Sequence, residues 1–139
     1  MNKKTRRVAI GLFSALILLG NASPSSAAAT LKISEAGNGK TFSVKAGSTI
    51  EITLHSTFWN EQTISNLKVI GAPNLNAIMP GPTAPANCQL PGMGCGTIVW
   101  KFTAAKPGKA SFLATRTSCG EALRCTAKTG RFLISFKVS

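Results

Sequence analysis

Three stretches of this chain alternate apolar and polar residues with a period of two, and that alternation constrains the fold more than any other feature. Ile50, Ile52 and Leu54 alternate with Thr49, Glu51, Thr53 and His55. Ile98, Trp100 and Phe102 alternate with Val99, Lys101 and Thr103, and Phe132, Ile134, Phe136 and Val138 with Arg131, Leu133, Ser135 and Lys137. Successive strand side chains point to opposite faces, so each run is a strand with one face buried. Shorter candidates lie at residues 31–34, 41–44, 67–70 and 109–116, and no stretch after residue 29 shows a helical apolar stripe with caps. Gly37-Asn38-Gly39, Ala46-Gly47 and Lys106-Pro107-Gly108-Lys109 supply turns between the runs. The pattern predicts an all-β antiparallel sandwich of about seven short strands. The final strand, long and apolar on one face, is expected inside a sheet.

Two long connections interrupt the strands. Residues 74–96 hold Pro80, Pro82, Pro85 and Pro91 and end in glycines; residues 117–130 hold two cysteines. Proline removes a ladder donor and glycine weakens a strand, so neither segment is regular strand throughout.

The first 29 residues have the order of a secretory signal: basic Lys3, Lys4, Arg6 and Arg7, an apolar run over 8–19, then small residues ending Ser25-Ser26-Ala27-Ala28-Ala29. Cleavage after Ala27 or Ala29 is expected. The apolar run falls short of the roughly 20 residues needed to span a bilayer, so no transmembrane segment is expected after cleavage, and the protein is expected to be secreted or held in the cell envelope. Removing residues 1–29 leaves 110 residues, one domain over 30–139. Twelve Lys and Arg then face four Glu, with no Asp, for a net charge near +8. Such an excess draws the domain to anionic surfaces, envelope polymers among them.

Export also decides how to read Cys88, Cys95, Cys119 and Cys125. An even count in a small exported domain points to two disulfides, with three connectivities open. Cys88–Cys95 with Cys119–Cys125 is the expected one, because each pair closes a short loop.

Catalytic and metal chemistry are poorly supplied. His55 is the single histidine. Glu51 shares its strand, but four residues along a strand is about 13 Å, too far for a hydrogen bond. The histidine and carboxylate count is too small for a catalytic triad or a blue-copper centre. Six residues separate Cys88 from Cys95 and five separate Cys119 from Cys125, unlike the paired spacing of zinc sites. No enzyme activity, metal or cofactor is expected. The phenylalanines fall on the buried faces, so no dedicated nucleic-acid binding is expected either.

Function is therefore expected in loops. Thr57, Phe58 and Trp59 follow a strand end; the two aromatics either cap the core or present Trp59 as an exposed anchor of the kind found at interface centres. Gly92, Met93 and Gly94 form a tip whose glycines permit close backbone approach. Arg116 and Arg124 flank the second cysteine pair.

Asn38-Gly39-Lys40-Thr41 followed by Val44-Lys45-Ala46-Gly47-Ser48-Thr49-Ile50-Glu51-Ile52 resembles the opening of the chagasin-type inhibitors of papain-like cysteine proteases. Phe102-Thr103-Ala104-Ala105-Lys106-Pro107-Gly108-Lys109-Ala110, leading to Arg116, and the terminal strand 132–138 extend the resemblance over most of the domain. It implies an immunoglobulin-like β-sandwich in which three loops at one end plug a protease cleft without being cut. By position these would be residues 55–63, the segment holding Gly92, Gly94 and Gly96, and the segment from Arg116. Ser56-Thr57-Phe58-Trp59 stands where the family has Asn-Pro-Thr-Thr-Gly-Tyr, and of its Arg-Pro-Trp only Arg116 is kept. The expectation is a protein-binding domain, an inhibitor of papain-like proteases. There Trp59 fills a pocket, Gly92 to Gly96 approach the cleft, and Arg116 or Arg124 meets an acidic rim. A basic module attached to anionic envelope polymer is the alternative.

Overall fold

The computed structural model describes residues 28–139 other than Pro91 and Glu121; the expected signal segment, but for Ala28 and Ala29, lies outside the described residues. Among the described residues eight strands form two four-stranded sheets. They are β1 (Thr30–Ile33), β2 (Thr41–Val44), β3 (Thr49–His55), β4 (Glu61–Ile64), β5 (Asn74–Ile78), β6 (Thr97–Thr103), β7 (Gly108–Thr115) and β8 (Arg131–Val138). The sheet orders are β1-β3-β6-β5 and β2-β8-β7-β4. No helix among them is long and apolar enough to cross a membrane.

The three alternating runs occupy the inner positions, as an inner strand must. Ile50, Ile52 and Leu54 of β3 lie in register with Phe102, Trp100 and Ile98 of β6. Across the sandwich, Phe112 of β7 opposes Ile134 of β8, and Phe132 and Phe136 flank it. Phe112 meets Trp100 edge-on at 5.3 Å between centroids, and the rings of Phe102 and Phe136 are 6.2 Å apart. Offset and edge-on pairs of this kind add to the burial of each ring. This aromatic layer closes the gap between the sheets.

Three details depart from the sequence expectation. Each sheet contains one parallel pair, β1 with β3 and β2 with β8, within an otherwise antiparallel arrangement. The chain crosses between sheets after β1 and again after β2, and each crossing leaves an edge strand running with its neighbour. Residues 67–70 are not a strand. Asn66 gathers them into a turn, accepting from Lys68 N through its side chain and from Val69 N and Ile70 N through its carbonyl. Val69 and Ile70 then plug one end of the core while Leu67 stays exposed. Two strands, β4 and β5, lie where the sequence suggested loop. Both are edge strands, and every residue of β5 is exposed, so neither carries an apolar alternation to detect.

The topology puts the two longest connections at the same end. Residues 45–48, 65–73 and 104–107 cross one end of the sandwich, and 34–40, 56–60, 79–96 and 116–130 cross the other.

Candidate functional site

The end carrying the longer connections is cross-braced, and Trp59 is its hub. Trp59 Nε1 donates to the His55 carbonyl at 3.0 Å, which folds the 56–60 connection back over its own strand. The indole is only 5% exposed. The Arg116 guanidinium lies over it, 4.3 Å from the ring centroid, in cation–π contact. Arg116 Nε also donates to the Thr129 carbonyl at 3.2 Å, across the base of the 116–130 connection. The expectation of an exposed Trp59 anchor is thus corrected. The indole is covered by a cation and hydrogen-bonded to its own strand, and so supports the loops.

The 79–96 connection docks on the other side of 56–60. Ser56 N donates to the Gly96 carbonyl at 2.8 Å and Thr57 N to the Gly94 carbonyl at 2.9 Å. Gly94 is buried with φ of +71°, and a Cβ placed there would stand 2.1 Å from the Phe58 ring. Its lack of a side chain serves packing within this chain, which corrects its assignment as a partner-facing glycine. Gly92 has open space around it and Met93 is half-buried. Ser56 takes a φ of 93°, unusual for a non-glycine residue, and its Oγ accepts from Phe58 N. Strain of this sort persists where surrounding bonds hold it, here the Gly96 contact.

Disulfides tie both long loops. Cys88 joins Cys95 and Cys119 joins Cys125, so no thiol remains among the described residues. In the first loop Gln89 Nε2 donates to the carbonyls of Pro82 and Ala84, at 3.0 and 2.7 Å. The second forms a small hairpin: Cys119 N donates to Leu123 O, Cys125 N donates to Thr117 O, and Ser118 pairs with Arg124. Arg124 is exposed at its edge, and Thr57 and Phe58 are half-buried.

Sequence reasoning passed over two features of this end. The first is the partner of His55. Its Nδ1 lies 3.0 Å from Glu35 Oε1, and the same oxygen accepts from the His55 backbone N–H. Glu35 lies twenty positions earlier in the sequence, in the short turn after β1. Burial raises its carboxyl, but hydrogen bonds from the His55 backbone, its own backbone and the His55 ring outweigh that and hold it below the ordinary value. With every cysteine oxidised, the pair braces the 34–40 connection. The second feature is a set of exposed apolar residues, Met79, Leu90 and Leu123, each more than 60% exposed. A lone leucine in a Pro- and Gly-rich loop gives no periodic signal of its burial. Among the described residues no group of three His, Cys, Asp or Glu could hold a metal ion.

No protein-family model matches the chain, and no curated protein matches its sequence. Solved structures do match its fold. Amebosin superposes with a TM-score of 0.51 at 16% identity, covering 80% of this chain and 98% of amebosin. The cysteine protease inhibitor EhICP2 of Entamoeba histolytica superposes with a TM-score of 0.51 at 11% identity, covering 81% of this chain and 98% of the inhibitor. The β-sandwich fold is therefore shared with a cysteine protease inhibitor, over nearly that protein's whole length.

Proposed function

We propose that the protein is an exported binding domain that inhibits papain-like cysteine proteases by occluding their cleft with the loops at one end of the sandwich. The observation that carries this reading is the bracing of three loops into one unit at a single end, 79–96 against 56–60 and 56–60 against 116–130. Preorganised loops lose little conformational freedom on binding. The fold shared with the Entamoeba inhibitor supports the same reading. Occlusion would fall to Phe58, Gly92, Met93, Leu90 and Arg124, the residues with accessible surface, while Trp59 and Gly94 hold them in place. Disulfides at the base of two loops would keep a bound loop from adopting the extended form that a protease cuts. The test is steady-state inhibition of papain by the disulfide-intact chain, with gel analysis of the chain afterwards. Inhibition at micromolar concentration with the chain uncut supports the proposal. Full papain activity, or progressive cutting within residues 79–96, removes it.

A further inference from the structure

Beside the braced loops, the second disulfide hairpin and the start of β8 enclose a concavity of about 890 Å³, within the size range of ligand sites. Three arginines reach it from three separate anchor points. Arg116 follows the last residue of β7, Arg124 is held by its bridge to Ser118, and Arg131 opens β8. Among the described residues none of the three has a carboxylate within ion-pair distance, since the only such pairs are Glu35–His55 and Glu51–Lys101. Arg116 is further fixed by Trp59 and Thr129. Burial pulls its guanidinium down from the ordinary value, partly offset by the Glu35 charge, yet it stays charged at neutral pH. Guanidinium groups around one hollow suit an oxyanion, which offers them paired, charge-assisted hydrogen bonds. The lining between them combines the hydroxyl residues Thr117, Ser118 and Thr126 with the apolar Ala122, Ala127 and Leu123, the last 64% exposed.

We propose that this concavity binds an acidic peptide segment of a partner protein, its carboxylates on the arginines and an apolar side chain on Leu123. The mixed lining favours a peptide, because a polyanion without apolar groups would leave Leu123 in water. The proposal shares the 116–130 connection with the protease reading but does not depend on inhibition.

The experiment contains no protease, so it stands or falls separately from that reading. Fluorescence anisotropy would follow a labelled hexapeptide of alternating Glu and Leu titrated with the disulfide-intact chain at about 0.15 M ionic strength, where the Debye length is about 8 Å. Binding is expected, and Arg124→Gln with Arg131→Gln should weaken it by about tenfold or more, as expected for lost ion pairs. Both side chains are exposed, so folding is not at risk. Leu123→Ser should weaken it severalfold, and the Gln-for-Glu peptide should not bind. Lys109→Gln with Lys137→Gln removes the same charge from the far end of the β7–β8 pair and should leave affinity within about twofold, because exposed charges beyond a Debye length are screened. Equal loss in the two double variants would mean attraction to net charge alone and would overturn the site. So would no binding at all, or polyphosphate displacing the peptide at lower charge concentration than an unlabelled copy.

Discussion

The guanidinium of Arg116 stacks 4.3 Å above the ring of Trp59, joining two loops that are more than fifty residues apart in sequence. The contact makes Trp59 a structural member of the loop end. Trp59→Ala should therefore cost about 3–5 kcal/mol, as for other buried large aromatics. Arg116→Ala should cost about 1 kcal/mol through the lost cation–π contact. Urea denaturation measures both. A Trp59→Ala change below about 1 kcal/mol would mean that the indole is solvent-facing, since surface substitutions fall in that range.

Gly94 and Phe58 fit only because Gly94 has no Cβ. Gly94→Ala is expected to destabilise by about 2 kcal/mol or more, combining a clash with a positive φ. Phe58→Ala opens the space, so the double variant should lose less than the sum of the two single losses. A double-mutant cycle reads that coupling directly; strict additivity would contradict the packing.

Acid should loosen the Glu35–His55 brace. The Glu35 carboxyl is held below its ordinary value in the folded chain, so its contribution is complete above the ordinary carboxylate range and is lost as pH falls through the lowered value. The Glu35 side chain is 42% exposed, which limits the contribution to about 1 kcal/mol or less through solvent screening. Stability measured from about pH 6 down to about pH 3 should fall less steeply for Glu35→Gln than for the unmodified chain. Parallel curves would rule out a stabilising role for the pair.

Under the proposed export, Ala29 distinguishes between the two expected cleavage sites. Its carbonyl accepts from Thr49 N at 2.9 Å, extending the β1–β3 ladder one residue beyond β1. Cleavage after Ala27 keeps that bond, whereas cleavage after Ala29 discards it. Intact mass of the exported protein should correspond to a chain beginning at Ala28; a chain beginning at Thr30 would contradict this.

How far the fold was legible follows from where each strand sits. Ile50, Ile52 and Leu54 announce β3 because an inner strand must show the core an unbroken apolar face. Nothing announces β5, whose Leu75 and Ile78 are half exposed at a sheet edge. The parallel pairing of β1 and β2 was hidden for a related reason, since burial alternates in the same way whichever direction the neighbour runs. Val69 and Ile70 mimicked a strand because plugging a sandwich end also demands β-branched apolar residues. At the candidate site, the sequence singled out loops that the topology gathers at one end of the sandwich. Whether Trp59 faced solvent, and which carboxylate met His55, depended on contacts made across distant stretches of chain.

The central proposal is occlusion of a protease cleft by the braced loop end. Binding of the disulfide-intact chain to papain, compared between the free enzyme and the enzyme whose cleft is filled by an irreversible peptide inhibitor, tests it most directly. The account predicts micromolar or tighter binding to the free enzyme and none to the filled one. Equal binding to both, or to neither, would contradict it.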